Sequence, residues 1–358
     1  MKKRVGILNS GGDCPGLNTV IDAIVKGLDA ECEIIGFYRG YEGLLRGDYT
    51  PLDRNYTSAN RWIGGTILKS VNKGNFPSRK GNDAFDSAEV ELIEKAFKTY
   101  TDLDLDGLIV LGGDGTLYTA YRLQKFGFNI IAVPKSIDND LECTDFTFGF
   151  HTAVEIANEA INRLHTTATS HDRVMILEVM GRTAGWIGLY AGIAGGANMI
   201  LIPEIPFDYA KIIEFLDGRY STGHTSAIIV TSEAAIPKDG SAIMHNWGSS
   251  SSNLNYGGTG ESLAQFINQN TDYEARSTSL GHIQRGGSPN AFDKIISTQL
   301  GAYAAEMFKN GEFGKMAAYV NNQIKSVDLG SSVLSLKLVS ADSQIVRLAK
   351  NVEISFGV

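Results

Sequence analysis

Three short segments combine glycines with carboxylates at spacings suited to phosphate chemistry: Gly11-Gly12-Asp13-Cys14-Pro15-Gly16-Leu17-Asn18, Leu111-Gly112-Gly113-Asp114-Gly115-Thr116 and Pro134-Lys135-Ser136-Ile137-Asp138-Asn139-Asp140. The first follows the apolar run Val5–Leu8 and precedes a helical pattern, so its free backbone N–H groups would lie under a positive helix end, a cradle for phosphate. On its own, a tight strand-to-helix turn accounts for it equally well. It carries neither the Walker lysine nor the spaced dinucleotide glycines. The second places Asp114 where a phosphate-bound Mg2+ would need an oxygen ligand, although a bare GGDGT also occurs in NAD kinases and lipid kinases. The third sets Asp138 and Asp140 beside Lys135 and Ser136. Phosphoryl transfer to a sugar hydroxyl needs a base at that hydroxyl, a metal on the phosphates and cations for the developing charge. The three segments together supply all of these.

The elements that must hold these segments are legible as apolar runs. Val5–Leu8, Ile34–Phe37, Leu108–Leu111, Ile130–Val133, Val174–Val179, Met199–Ile202 and Ala227–Val230 read as buried parallel strands. Between them, Val20, Ile21, Ile24, Val25 and Leu28 share one helical face after Asn18, which is expected to cap the helix, and 117–126 and 153–164 behave similarly. The alternation predicts doubly wound α/β layers with ligands at the carboxyl ends of the strands. A second α/β lobe is expected to start near residue 140, and Gly248–Gly260, with four consecutive serines, reads as a polar surface loop.

Composition narrows the function classes. The chain has 358 residues, 43% hydrophobic and 20% charged, as in globular enzymes. Its 40 glycines, with only 8 prolines, mark close backbone approaches rather than low complexity. A net charge of −8 argues against general adhesion to nucleic acid or an anionic membrane, so any anion site must be local. Lys2, Lys3 and Arg4 are followed by too short an apolar run for a signal peptide, and a cytoplasmic location is expected. The uncharged stretch Thr183–Pro203 holds five glycines and reads as helix, turn and strand rather than a membrane span. Cys14, Cys32 and Cys143 lack metal or redox spacing and are expected in the core, as are His151, His165, His171, His224 and His245.

With these segments in order, and with Arg173, Met180-Gly181-Arg182, Glu233, Arg276 and Gly281-His282-Ile283-Gln284-Arg285-Gly286-Gly287 at matching spacing, the chain resembles the phosphofructokinase family over most of its length. The resemblance implies two Rossmann-like three-layer lobes with mainly parallel sheets. Residues 1–140 would bind the phosphoryl donor and Mg2+, 141–310 the sugar phosphate, and 311–358 would pack back on the first lobe. It implies transfer of a phosphoryl group to the 1-hydroxyl of fructose 6-phosphate in glycolysis. Asp138 would be the base, Ser136 and Ile137 would hold the reacting end, and Asp114, with Asp140 nearby, would hold Mg2+. Gly12, Tyr41, Gly113, Gly115 and Thr116 would line the donor site. Arg182 would bridge the transferring phosphoryl and the sugar, while Met180, Gly181 and Glu233 would contact the sugar ring. His282, Arg285, Arg173 and Arg276 would bind the 6-phosphate, the last two from a neighbouring subunit, which implies a homodimer or homotetramer.

Departures from the family pattern bear on the donor. Gly115 leaves room for ATP where pyrophosphate enzymes carry aspartate, whereas Lys135 is typical of pyrophosphate enzymes and of a mixed ATP-using subgroup. ATP is the favoured donor and pyrophosphate the alternative. Lys73, beside Asn72, stands where the family usually supplies an arginine to the nucleotide phosphates. Asp22 replaces an effector-binding arginine, which argues against regulation by ADP or phosphoenolpyruvate, and Arg54 cannot restore it. A catalytically silent sugar-phosphate-binding subunit is the rival from another class. Intact Asp114, Asp138 and Arg182 weigh against it.

Overall fold

The computed structural model describes residues 2–71, 76, 86–246 and 254–358. They divide into two compact units, residues 1–152 with 285–336, and residues 153–284 with 337–358.

In the first unit β1 (Lys3–Asn9), β2 (Cys32–Phe37), β3 (Tyr49–Pro51), β4 (Gly107–Gly112), β5 (Ile130–Pro134), β12 (Lys315–Val320) and β13 (Gln323–Asp328) form one sheet, ordered β13-β12-β5-β4-β1-β2-β3. All neighbours pair in parallel except the edge pairs β2–β3 and β12–β13. Leu108 to Leu111 of β4 are wholly buried, which is why a central parallel strand appears as an unbroken apolar run. The helices are α1 (Leu17–Leu28), α2 (Tyr41–Arg46), α3 (Arg54–Asn60), α4 (Ser87–Asp102), α5 (Asp114–Lys125), the start of α6 (Phe150–His171), α10 (Ala291–Asn310) and α11 (Leu329–Val333). α1 packs closely on α10 through small residues: a Cβ at Gly301 would collide with Val20 O and Ala23, and one at Gly27 with Ala305. Asn18 does not cap α1. Gly16, at φ 107°, is the N-cap, and the Asn18 amide instead bonds Ile63 O at 2.9 Å and Ile67 N at 2.8 Å.

In the second unit β6 (Val174–Val179), β7 (Met199–Leu201), β8 (Ala227–Ser232) and β11 (Ala275–Ser279) form an all-parallel sheet ordered β11-β6-β8-β7. The rest of α6, α7 (Trp186–Ala194), α8 (Tyr209–Ser221), α9 (Thr259–Asn270) and α12 (Gln344–Asn351) accompany it, with the hairpin of β9 (Met244–Asn246) and β10 (Leu254–Tyr256). Part of the expected 248–260 loop is therefore strand and helix, and 247–253 lie outside the described residues.

The fold is mixed α/β with mainly parallel sheets, as expected. The units do not divide at 140 and 310. α10 and β12 complete the first unit, and the tail joins the second, where Ile200 N donates to Ser355 O at 2.8 Å and Asp208 N to Gly357 O at 2.7 Å. Cys14 and Cys32 are buried as expected, but Cys143 is exposed, as are His171 and His224. Among the described residues no helix is long and apolar enough to cross a membrane.

Candidate active site

The first unit gathers three turns at the carboxyl ends of neighbouring strands. β1 lies between β2 and β4, so the chain reverses its direction of travel across the sheet there, the place where open α/β sheets bind ligands. The Gly11–Gly16 turn leaves β1, the Gly113–Thr116 turn leaves β4 and the Lys135–Asp140 turn leaves β5. They are stitched together: Ser10 N donates to Leu111 O at 3.2 Å and Lys135 N to Gly112 O at 2.8 Å.

Close approach explains the glycines. A Cβ at Gly12 would strike the Arg285 guanidinium, whose Nη1 also donates to Asp13 O at 3.3 Å. A Cβ at Gly113 would lie 3.1 Å from Lys135 O, while at Gly115 nothing lies within 4 Å. Lys135 is buried; burial lowers its ammonium from the ordinary value, with Arg285 adding to that and Cys14, Asp138 and Asp140 opposing it. Its Nζ reaches to 3.5 Å and 3.9 Å from the Cβ positions of Gly11 and Gly113, between the two glycine turns. The Asp138 turn is preorganised: its N–H donates to Ser136 Oγ at 3.1 Å, Ser136 Oγ donates to Asp140 Oδ1 at 3.0 Å, and Thr147 Oγ1 donates to Ser136 O at 2.6 Å. Asn139 takes φ 53° and its Oδ1 accepts from Thr147 N at 3.0 Å.

Asp114 is the first residue of α5, next in the chain to Gly115, where a Cβ would meet nothing within 4 Å. Among the described residues no three His, Cys, Asp or Glu side chains gather as a metal cage. This donor set fits Mg2+, which takes one or two carboxylates and completes its shell with phosphate oxygens and water. Tyr41 is buried, with burial raising its hydroxyl above the ordinary value, and that hydroxyl donates to Thr116 O at 2.7 Å, so it braces the second turn from behind. Asn72 and Lys73 lie outside the described residues.

In the second unit Met180-Gly181-Arg182 leaves β6 and Glu233 leaves β8, at the carboxyl ends of adjacent strands. Arg182 takes a left-handed φ of 51° after Gly181 at 140°, a conformation that persists only when its surroundings impose it. Its N–H donates to Glu233 Oε1 at 2.9 Å, Glu233 N donates to Val179 O at 2.8 Å, and Thr259 Oγ1 donates to Glu233 O at 3.1 Å. The Arg182 side chain is left exposed. His282, also exposed, lies on the 3-10 turn Gly281–Arg285 that follows β11.

Arg173 and Arg276 are not brought to these groups within their unit. Arg173 precedes β6 and Arg276 pairs in register with Met175, at the amino end of the sheet, where both guanidinium groups share Glu274 Oε1 at 2.8 and 2.5 Å. Their proximity, mainly the Arg173 hydrogen bond, holds the Glu274 carboxyl below its ordinary value. Asp22 is also settled structurally: Thr57 Oγ1 and Ser58 Oγ donate to its Oδ1 at 3.0 and 2.9 Å and Lys26 Nζ to Oδ2 at 2.7 Å, joining α1 to α3. The bracing residues Thr147, Thr259 and Gln284 were not assigned roles from sequence. Gln284 lies inside a quoted motif, whereas the two threonines carry no local signal at all.

The pattern of the phosphofructokinase family matches residues 4–308. The chain belongs to that family. It is 43% identical over 359 residues to an ATP-dependent 6-phosphofructokinase 2 of Clostridium perfringens, covering 99% of this chain and 98% of that one. It is also 43% identical over 339 residues to a pyrophosphate–fructose 6-phosphate 1-phosphotransferase of Amycolatopsis methanolica, covering 94% and 96% of the two chains. Phosphofructokinase from Saccharomyces cerevisiae matches with a TM-score of 0.77 and 28% identity over 93% of this chain, which spans only 45% of the yeast chain. A pyrophosphate-dependent phosphofructokinase from Marinobacter aquaeolei shares the fold, with a TM-score of 0.80 at 21% identity, over 96% of this chain and 88% of that one. Within the phosphofructokinase family, relatives named for either donor are equally similar to this chain. Overall similarity does not distinguish the two donors.

Proposed function

We propose that this chain is an ATP-dependent 6-phosphofructokinase: with Mg2+, it transfers the terminal phosphoryl of ATP to the 1-hydroxyl of fructose 6-phosphate, giving fructose 1,6-bisphosphate. The observation that carries the reading is the placement of Asp138 on a buried, hydrogen-bonded turn at the end of β5, one strand from the turn of Asp114 and two from the Gly11–Gly16 turn. Asp138 takes the proton of the sugar hydroxyl as it attacks. Asp114, with Asp140 nearby, would hold Mg2+, which would supply charge neutralisation on the donor phosphates. Lys135 and the backbone N–H groups of the Gly11–Gly16 turn receive those phosphates. Arg182, always charged and planar, meets the charge that develops on the transferring group. Met180, Gly181 and Glu233 face the sugar, and His282 and Arg285 take its phosphate.

The open space at Gly115 supports ATP, because a side chain there would crowd the nucleotide beyond its terminal phosphate. A second reading, pyrophosphate as donor, is favoured by the Lys135 ammonium between the glycine turns, an arrangement equally able to hold a bare diphosphate. Arg173 and Arg276, displaced from Arg182 in their own unit, are read as contributions to a neighbouring copy's 6-phosphate pocket, so the working form is a homodimer or homotetramer, placed in the cytoplasm. The deciding experiment supplies purified protein with Mg2+ and fructose 6-phosphate, with ATP in one vessel and pyrophosphate in another. Fructose 1,6-bisphosphate formed with ATP supports the proposal; product with pyrophosphate alone replaces it by the second reading, and product with neither turns it to a silent binding subunit.

A further inference from the structure

We infer that Gln284 is a positioning residue that ties the turn carrying His282 to the turn presenting Arg182; the inference rests on the kinase reading above. The Gln284 side chain is fully buried, and both ends of its amide are used: Oε1 accepts from Met180 N at 2.8 Å and Nε2 donates to Ala153 O at 3.5 Å. The other end of the same segment is anchored to the same strand. Leu280 N donates to Glu178 O at 3.1 Å and Ser279 Oγ to Glu178 Oε1 at 3.1 Å, while Glu178 Oε2 accepts from Gly260 N at 2.9 Å at the start of α9.

His282 is thus held between two attachments to the end of β6, at residues 178 and 180. Met180 leads directly into Gly181 and Arg182, whose left-handed backbone leaves little freedom to absorb a displacement. Past Val179, paired with Ser232, β6 leaves its ladder with β8, and the Met180 N–H finds its acceptor in Gln284 instead. An apolar side chain of the same length would bury that N–H without a partner. Packed interiors pass small shifts on rather than damp them. A phosphate drawn to His282 therefore sets the position of Met180 and, through it, of Arg182. Binding energy gained at the phosphate end of the substrate is expressed as rate at the transferring end.

The test is a double-mutant cycle on kcat, with Gln284→Met and His282→Ala singly and together, and with Gln284→Glu, which keeps an acceptor for Met180 N. We expect Gln284→Met to lower kcat by about 10- to 100-fold per folded molecule, with a smaller change in KM for fructose 6-phosphate, and Gln284→Glu to stay within about fivefold of wild type. The double variant should lose at least about fivefold less than the product of the single losses. Unchanged kcat in Gln284→Met, or losses that multiply without coupling, overturns the inference while leaving the kinase reading intact. If Gln284→Met does not fold, the cycle is read with Gln284→Leu, which also removes the acceptor for Met180 N, and strict multiplication of the losses overturns the inference equally. Wild-type protein inactive with both donors overturns the kinase reading and this inference together.

Discussion

Arg173 and Arg182 stand at opposite ends of one strand. Arg173 immediately precedes β6 and Arg182 lies three residues beyond its end, so the six strand residues, at about 3.3 Å each, hold them on the order of 20 Å apart. Two guanidinium groups so placed cannot close on one small sugar phosphate within a single copy of the chain. Arg276, in register with Met175, shares the position of Arg173.

Hybrid oligomers test this separation. Arg173→Ala and Asp138→Asn, each alone, should lower kcat/KM by at least about 100-fold. Refolded together in equal amounts, they should regain on the order of a quarter of wild-type activity, because some pockets then combine an intact Asp138 with a partner's intact Arg173. A mixture no more active than its components would mean that each copy works alone.

Gly115→Asp tests donor choice. Nothing lies within 4 Å of the Cβ position and a carboxylate suits a helix N-terminus, so stability should stay within about 0.5 kcal/mol of wild type. Turnover with ATP should fall by about 100-fold or more, while any turnover with pyrophosphate persists. Steady-state assays with both donors check this, and undiminished ATP turnover would remove Gly115 as the determinant.

His151 sets part of the acid limit of stability. Its ring lies 4.1 Å from that of Phe292 and 4.5 Å from that of Phe146, centroid to centroid, and burial pulls its pKa down to about 4. The unfolded chain takes up this proton near pH 6.5 and the folded chain does not, so the unfolded state binds more protons between 6.5 and about 4. Stability is unaffected above pH 6.5 and falls below it, by up to about 1 kcal/mol per pH unit once the solvent-facing part of the ring is allowed for. Denaturant titrations at pH 7 and pH 5 should show a smaller loss for His151→Phe than for wild type.

The buried pair Glu89–Arg122 joins α4 to α5, the helix that begins with Asp114. Arg122 Nε lies 2.5 Å from Glu89 Oε1 and Nη2 lies 2.7 Å from Oε2. Arg122→Met alone should cost roughly 3–5 kcal/mol, because it strands a buried carboxylate, whereas Glu89→Leu with Arg122→Met should regain most of that. Urea unfolding of the three variants measures it.

What the sequence made legible follows from burial. β4, β5, β6 and β8 are covered on both faces, so they stand out as unbroken apolar runs, and the chemistry sits in the turns immediately after them. β11 reads Ala-Arg-Ser-Thr-Ser, a largely uncovered edge strand, and β13, an edge strand of the first unit's sheet, has no buried residue, so neither carries an apolar signature. Asn18 has the chemistry of a cap, but its amide is claimed by the chain near residue 65, a preference no local pattern records. The same holds for Glu89 and Arg122, 33 residues apart, and for the bracing of Met180 by Gln284 across 104.

The packing of α1 on α10 has a consequence for how the chain is made. The Val20, Ala23 and Gly27 side of α1 emerges from the ribosome early, but α10, which covers it, and β12, which extends the same unit's sheet, emerge only after the strands of the second unit's sheet. At about 5–20 residues per second, that leaves an apolar face of α1 open for on the order of 10–50 s. For that interval this side of α1 has no α10 to pack on, while the sheet of β6, β7, β8 and β11, whose strands are complete sooner, is free to close first.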